Sequence, residues 1–295
     1  MAGRVIPPVL GFIGLGVMGS RMCANLIGKS GATVLVYDPV TEAVGAAAEQ
    51  GGQRQASVAD VGQRADIVFL SLPGISQVET VSAELAAAPR HPRLIVDMST
   101  SDVTRTRQLA ARLADSGITL VDAPVARTRQ AAQDGTLLIT VGAPDEVFAE
   151  LRPLLSCMGS DIVHAGATGS GQVMKILNNM VLFLTMNALA EALTIGQAAG
   201  VDGEKLFQTL AMGSADSFAL RRTAMATMVP GQFPERAFPT DYAIKDLALA
   251  LQLAGESGIA AGAARQTMDL LERTQAAGYG ASYYPVMIKL VDGRG

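Results

Sequence analysis

The apolar run VLGFI (Val9 to Ile13) breaks without a spacer into Gly14-Leu15-Gly16-Val17-Met18-Gly19, and few folds can begin that way. So short an apolar run reads as a buried strand, and the residues from about Val17 to Lys29 read as the helix that follows it. Each glycine has its own task. Gly14 allows the tight turn, Gly16 leaves room for a pyrophosphate to approach the backbone, and Gly19 lets helix and strand pack closely. The phosphates would then sit at the helix N-terminus, where free N–H groups and the helix dipole favour anions. A second strand, Thr33 to Tyr37, ends in Asp38. That carboxylate is placed to accept from adenosine ribose hydroxyls and to repel a 2'-phosphate. No Arg or Lys lies between Asp38 and Arg54 to neutralise such a phosphate. The expected cofactor is therefore NAD, as NADH for reduction, with NADP disfavoured, and Leu15, Val17 and Met18 join the glycines as cofactor-binding positions.

The alternation continues as α/β units do. Helices are expected at Thr41 to Gln50, Val58 to Arg64, Ile75 to Ala88, Asp102 to Ser116 and Pro144 to Met158. Strands are expected at Asp66 to Ser71, Leu94 to Met98, Ile118 to Asp122, Thr136 to Val141 and Asp161 to His164. Two strand ends carry turn residues, Leu72-Pro73-Gly74 and Ser99-Thr100, at the carboxyl edge where ligands bind in open α/β sheets. Ser101 reads as the cap of the helix after it.

Gly169 to Gln197 then reads as one long helix without proline, apolar almost all round, which points to burial between two masses. Its polar exceptions are Lys175, Asn178 and Asn179, whose i, i+3, i+4 spacing sets three side chains on one face. After it the strand signal vanishes. Helical segments follow at about Asp202 to Ala211, Ser217 to Met228, Thr240 to Glu256, Ala263 to Ala277 and Ser282 to Leu290. The expected fold is α/β: a doubly wound parallel sheet of Rossmann type over 1–169, a long interdomain helix over 170–200, and an all-helical C-terminal domain over 201–295.

With 295 residues, 49% hydrophobic, the chain exceeds a typical single domain and can bury a large core. A formal net charge of -4 without a basic block argues against nucleic acid or an anionic membrane as partner. The longest clean apolar run, Met180 to Met186, is too short to span a bilayer, and the N-terminus shows no cleavage-type segment. Cys23 and Cys157 fall in expected helices with no metal spacing, and His91 and His164 read as structural. No metal is expected, and the protein should be soluble and cytoplasmic.

Four motifs in order along the chain resemble the β-hydroxyacid dehydrogenase family, which includes 3-hydroxyisobutyrate dehydrogenase. They are GFIGLGVMGSRMCANL, the strand-end LP and DMST, DAPVARTRQAAQDGTLLITVG, and GSGQVMKILNN with its downstream IKDLALAL. The resemblance implies hydride exchange between NAD(P) and a short hydroxy acid or its semialdehyde, in a homodimer or homotetramer. By position it makes Lys175 the catalytic lysine and Asn178 and Asn179 substrate-contacting amides. Leu72, Pro73, Thr100 and Lys245 match cofactor-contacting positions, and Ser99 is assigned to the substrate. Where most of the family has Ser-Gly-Gly after the Asp-x-Pro-Val run, this chain has Ala126, Arg127 and Thr128. The Arg-Thr pair resembles the sulfolactaldehyde reductase branch, with Arg127 and Thr128 gripping the distant anion of a small anionic substrate. Sulfolactaldehyde or a similar small semialdehyde is therefore the expected substrate, with a 3-hydroxyisobutyrate or tartronate semialdehyde-type dehydrogenase as the alternative. The imine reductase branch generally replaces the lysine, so Lys175 counts against it. A non-catalytic dinucleotide sensor is the alternative from another class.

Overall fold

The structure, a computed structural model, describes residues 8–235 and 237–291. It comprises two compact units, Met1–Lys175 and Ile176–Gly295. In chain order the first holds β1 (Leu10–Ile13), α1 (Gly19–Lys29), β2 (Val34–Tyr37), α2 (Thr41–Glu49), β3 (Gln53–Arg54), α3 (Val58–Arg64), β4 (Ile67–Leu70), α4 (Ile75–Ala87), β5 (Leu94–Asp97) and α5 (Val103–Ala114). It continues through β6 (Thr119–Asp122), β7 (Val125–Ala126), α6 (Arg129–Asp134), β8 (Leu137–Gly142), α7 (Asp145–Leu155), β9 (Gly159–Gly166) and the start of α8 (Ser170–Ala198).

The strands form one sheet in the order β3-β2-β1-β4-β5-β6-β8-β7, with β9 on β8. Pairing is parallel from β3 to β6, with Leu10 level with Val34 on one side and Ile67 on the other. The sheet is parallel through its Rossmann core and changes direction only beyond β6. There β7 carries the chain past the carboxyl edge and α6 turns it back, so β8 descends antiparallel to both β6 and β7.

The central strands read as continuous apolar runs because both faces are covered. Along them the side chains alternate. Leu10, Phe12, Val34, Val36, Ile67, Phe69, Leu94 and Val96 join Met22 and Leu26 of α1, Val44 of α2 and Leu151 of α7. Ile13, Leu35, Val68, Leu70 and Ile95 join Val58 and Val61 of α3, Val78 and Leu85 of α4, and Leu109 of α5. Two apolar layers on one sheet make the doubly wound architecture, with the strand ends β1, β2, β4, β5 and β6 at a common carboxyl edge.

In the second unit α8 runs on from Ile176, followed by α9 (Gly203–Met212), a π-helical turn at Leu220–Ala224 leading into α10 (Met225–Thr227), α11 (Thr240–Glu256) and α12 (Gly262–Thr274). A further π turn, Gln275–Tyr279, contains Gly278 at φ 91°, and Tyr284–Leu290 is a 3-10 helix with Pro285 in its first turn. They stand in place of the plain helices expected at Ser217 to Met228 and Ser282 to Leu290, while that expected at Ala263 to Ala277 is α12 up to Thr274 and the π turn beyond it. Left-handed Gly278 interrupts the α pattern. An aromatic cluster anchors the core, with Tyr284 edge-on to Phe183 at 5.2 Å and to Phe238 at 5.9 Å.

Helix α8 is not buried on all sides. Ile176, Asn179, Phe183, Met186, Ala190 and Leu193 form its buried stripe, whereas Leu177, Val181 and Ile195 are exposed. By length and composition alone α8 is also apolar enough to cross a bilayer, which the count of uninterrupted apolar residues missed. The spacing of the buried residues by three and four is that of a core helix with one face in a helical unit.

Candidate active site

The glycine loop is held from below. Gly14 N–H donates to Tyr37 O at 3.1 Å and Leu15 N–H to Asp38 Oδ2 at 2.7 Å, while Asp38 Oδ1 accepts from Val40 N–H at 2.8 Å. Each Asp38 oxygen spends one acceptor site on backbone and keeps another for a hydroxyl. The three glycines differ as the sequence suggests. A Cβ on Gly14 would lie 2.2 Å from Ser71 O and one on Gly19 2.0 Å from Gly14 O, whereas one on Gly16 would meet nothing within 4 Å. Gly16 and Val17 are exposed, and no side chain caps the N-terminus of α1. An uncapped helix start beside the open space at Gly16 is a fit for a pyrophosphate. Strand β3, whose polar Gln53–Arg54 carries no apolar pattern, brings Arg54 level with Val36, two residues before Asp38.

At the carboxyl edge of β5 and β6 a buried polar network ties the turns to the base of α8. Asp97 accepts from Ser99 N–H at 2.9 Å and from Ser101 Oγ at 2.8 Å. Ser99 Oγ accepts from Leu72 N–H at 2.9 Å, and Ser99 is only 5% exposed. Ser99 is therefore a brace between the β4 and β5 turns rather than an open substrate contact. Ser101 is likewise not the cap expected of it. Asp102 caps α5 by accepting from Arg105 N–H at 2.7 Å, because only Asp102 stands in the half-helical position before Val103.

Sequence reasoning missed two residues here. Asp122 accepts from Gly169 N–H at 2.6 Å and Gln172 N–H at 2.8 Å, capping α8 from the end of β6. Gln172 is fully buried, donating from Nε2 to Ser99 O at 2.8 Å and accepting at Oε1 from Ser101 N–H at 3.0 Å. Lys175, half-buried, follows one turn later. Asp122 lay inside a quoted motif, but no local pattern marks a cap 47 residues from its partner. Burial pushes the Asp122 carboxyl up to about 6, against the pull of the two N–H donors. A pKa raised from 3.8 means stability present below pH 4 and lost as pH rises through 6. Relative to Asp122→Asn, which never ionises, the wild-type protein should lose about 2 kcal/mol between pH 4 and pH 7 in urea titrations. A pH-independent difference would show that folding does not raise the Asp122 pKa.

Arg127 takes φ 89°, a backbone region that favours glycine. Its guanidinium donates to Thr136 O at 2.7 Å and Ser160 Oγ at 3.0 Å and pairs with Asp161 at 2.8 Å. Thr128 Oγ1 caps α6, accepting from Ala131 N–H at 3.2 Å. Both residues of the expected anion grip thus have partners within the fold, and the Arg127–Asp161 pair lies at the surface.

The second unit carries its own polar chain. Asn178 Nδ2 donates to Asn179 Oδ1 at 3.1 Å, and Asn179 Nδ2 donates to Asp246 Oδ2 at 2.7 Å. Asn178 is exposed while Asn179 is only 4% exposed, so helical spacing does not give the two amides one environment. Asp246, itself 3% exposed, lies with its other oxygen 3.3 Å from Lys245 Nζ, which also stands 5.7 Å from the Tyr242 ring. The Asp246 carboxylate decides which end of the Asn179 amide faces it. The charge at the head of α11 was its one sequence signal.

Both cysteines are free and buried, and burial holds the Cys23 thiol at about 12. Cys157 lies in the turn after α7, not in the helix, because α7 ends at Leu155. His164 stacks on Phe148 at 4.5 Å and makes a 2.8 Å bond to Ala143 O. Among the described residues no cluster of His, Cys, Asp and Glu is placed to hold a metal.

Residues 9–166 match the family described as the NAD binding domain of 6-phosphogluconate dehydrogenase. Residues 169–291 match the one described as the NAD-binding of NADP-dependent 3-hydroxyisobutyrate dehydrogenase. The chain is similar to 2-(hydroxymethyl)glutarate dehydrogenase of Eubacterium barkeri, 36% identical over 284 residues, 95% of this chain and 94% of that one. It is similar to 3-hydroxyisobutyrate dehydrogenase of Pseudomonas aeruginosa, 38% identical over 254 residues, 82% and 84% of the two chains. Among solved structures, Mycobacterium tuberculosis 3-hydroxyisobutyrate dehydrogenase with L-serine aligns at TM-score 0.89 and 30% identity, covering 98% of this chain and 99% of that one.

Proposed function

The chain belongs to the β-hydroxyacid dehydrogenase family, NAD(P)-dependent enzymes acting on CH–OH groups, and on that premise we propose that it uses NAD to interconvert a short anionic hydroxy acid and its semialdehyde. The observation that carries this reading is the place of Lys175, one turn beyond a helix base braced to the Thr100 and Leu72 turns. When bound, the dinucleotide exchanges a hydride with the substrate carbon. In reduction the Lys175 ammonium donates the proton that the carbonyl oxygen takes up, and in oxidation the neutral amine removes it. Gly14 to Gly19 and Asp38 would hold the adenosine and pyrophosphate, with Leu72, Pro73, Thr100 and Lys245 as further cofactor contacts. Asn178 and Asn179 would contact the substrate. Asp38 favours NAD, and Arg54 on β3 is the cation to watch for NADPH use.

The substrates named for the relatives share one unit, a hydroxymethyl group on the carbon that bears the carboxylate. A substrate of that kind is the first reading. The second, a sulfonate such as sulfolactaldehyde, rests on the Arg127–Thr128 pair and needs Arg127 to leave Asp161. That exchange is feasible, since an exposed ion pair contributes little and Arg127 offers a planar fork to an oxyanion. We further propose a cytoplasmic homo-oligomer.

The test is aldehyde reduction followed with NADH and with NADPH on sulfolactaldehyde, succinic, methylmalonate and tartronate semialdehydes, for wild type and Arg127→Ala. We expect turnover with NADH on a carboxylate semialdehyde, with kcat/KM changed less than about threefold by Arg127→Ala, as for a surface charge. A sulfonate preference that vanishes in the variant would transfer the protein to the second reading. Absence of turnover on all four, with NADH bound, would favour a sensor.

A further inference from the structure

The first turn of α8 is fixed more firmly than a helix start requires. Asp122 already satisfies two of its N–H groups. Thr140 Oγ1 donates to Gly171 O at 3.0 Å, and a Cβ on Gly171 would lie 2.4 Å from Thr140 O. Backbone therefore packs directly on backbone. With these contacts in place, the Gln172 side chain is free for another purpose, and it does not point to solvent. It reaches across to the turn after β5 and engages Ser99 O and Ser101 N–H, the two backbone groups that flank Thr100.

We propose that Gln172 is a positioning residue that sets Lys175 against the Thr100 turn. The inference rests on the reading of Lys175 as the proton-transferring group and Thr100 as a cofactor contact. Its amide pairs with the turn as one strand pairs with another, one donor and one acceptor, which fixes distance and rotation together. Through Ser99 Oγ the same turn holds Leu72 N–H, so the brace reaches both cofactor-side turns. A helical rise of about 1.5 Å per residue puts Lys175 only about 4.5 Å along the axis from the brace, too short a lever for the helix to relax independently. An error of about 1 Å at the reacting atoms can cost about 10²-fold in rate.

The test compares Gln172→Met, which keeps length and loses both hydrogen bonds, with Lys175→Ala and the double variant. Gln172→Met should lower kcat by about 10-fold to 10²-fold. The KM for aldehyde and the NADH Kd should stay within about threefold, because a pure positioning loss appears in kcat. In the Lys175→Ala background the same substitution should change the residual rate by less than about twofold, since its effect passes through the absent lysine. Equal losses in both backgrounds, or a wild-type kcat in Gln172→Met, would overturn the proposal. Should Gln172→Met not fold, Gln172→Asn keeps the amide but is too short to reach both backbone groups. It should then show the same kcat loss, and normal kcat in that folded variant would equally refute the brace. If Lys175→Ala retains turnover, the reading of the lysine fails instead.

Discussion

Lys175→Ala is expected to lower aldehyde reduction by about 10²-fold to 10⁴-fold, the range that positioned acid-base groups supply. NADH binding should stay near wild type, because the glycine loop and Asp38, which we expect to hold most of the dinucleotide, are built from β1, α1 and β2. Lys175→Arg separates the two things a lysine can do. The guanidinium keeps a positive charge near a developing alkoxide but does not give up its proton near neutral pH. If charge alone matters, Arg should recover most of the rate. If proton transfer matters, Arg should stay within about tenfold of Ala. Stopped-flow hydride transfer and fluorescence titration of NADH, run on the same variants, separate chemistry from binding. Turnover unchanged in Lys175→Ala would remove the lysine from the mechanism, and the site would have to be sought elsewhere.

The parts of this architecture that could be read in advance are those set by local pattern. β1, β2, β4, β5 and β6 are covered on both faces, so each is a short apolar run between turns. The loop Gly14 to Gly19 and Asp38 are legible because their spacing is itself the mechanism. What escaped depends on long-range pairing. The two-residue strands β3 and β7 carry too few side chains to show a period of two, and the direction of β8 is decided by where β7 and α6 deliver the chain. The candidate site divides in the same way. Lys175, Asn178 and Asn179 stand out as polar residues in an apolar helix, whereas Lys245 is legible only through the family resemblance. Gln172 is silent in the sequence, since its partners lie 71 and 73 residues away. Arg127 is legible as an anion-seeking residue, but its partner within the fold, Asp161, lies on a distant strand that no local pattern joins to it.

Gly16→Ala and Gly19→Ala are expected to fail in opposite ways. At Gly19 a methyl group would stand 2.0 Å from Gly14 O and 3.1 Å from Ser71 Cβ. Neither is the end of a flexible side chain, so α1 must move off the end of β1, and overpacking of this kind costs at least about 1–3 kcal/mol. The variant should melt earlier, with cofactor affinity falling as a consequence of the displaced loop. At Gly16 the methyl would meet no protein atom within 4 Å. Stability should therefore match wild type. The open space is the place where a pyrophosphate would approach the N–H groups at the start of α1. Pushing it back by one methyl sacrifices about two charge-assisted hydrogen bonds at about 1.5 kcal/mol each, or about 10²-fold in NADH Kd. Calorimetric melting and NADH titration of the two variants therefore form a crossed test. A Gly16→Ala protein that binds NADH normally would mean that the phosphates do not lie over this loop, and the assignment of Gly14 to Gly19 would fall with it. The Gly19→Ala result cannot rescue that assignment, because a displaced helix loses affinity wherever the phosphates sit.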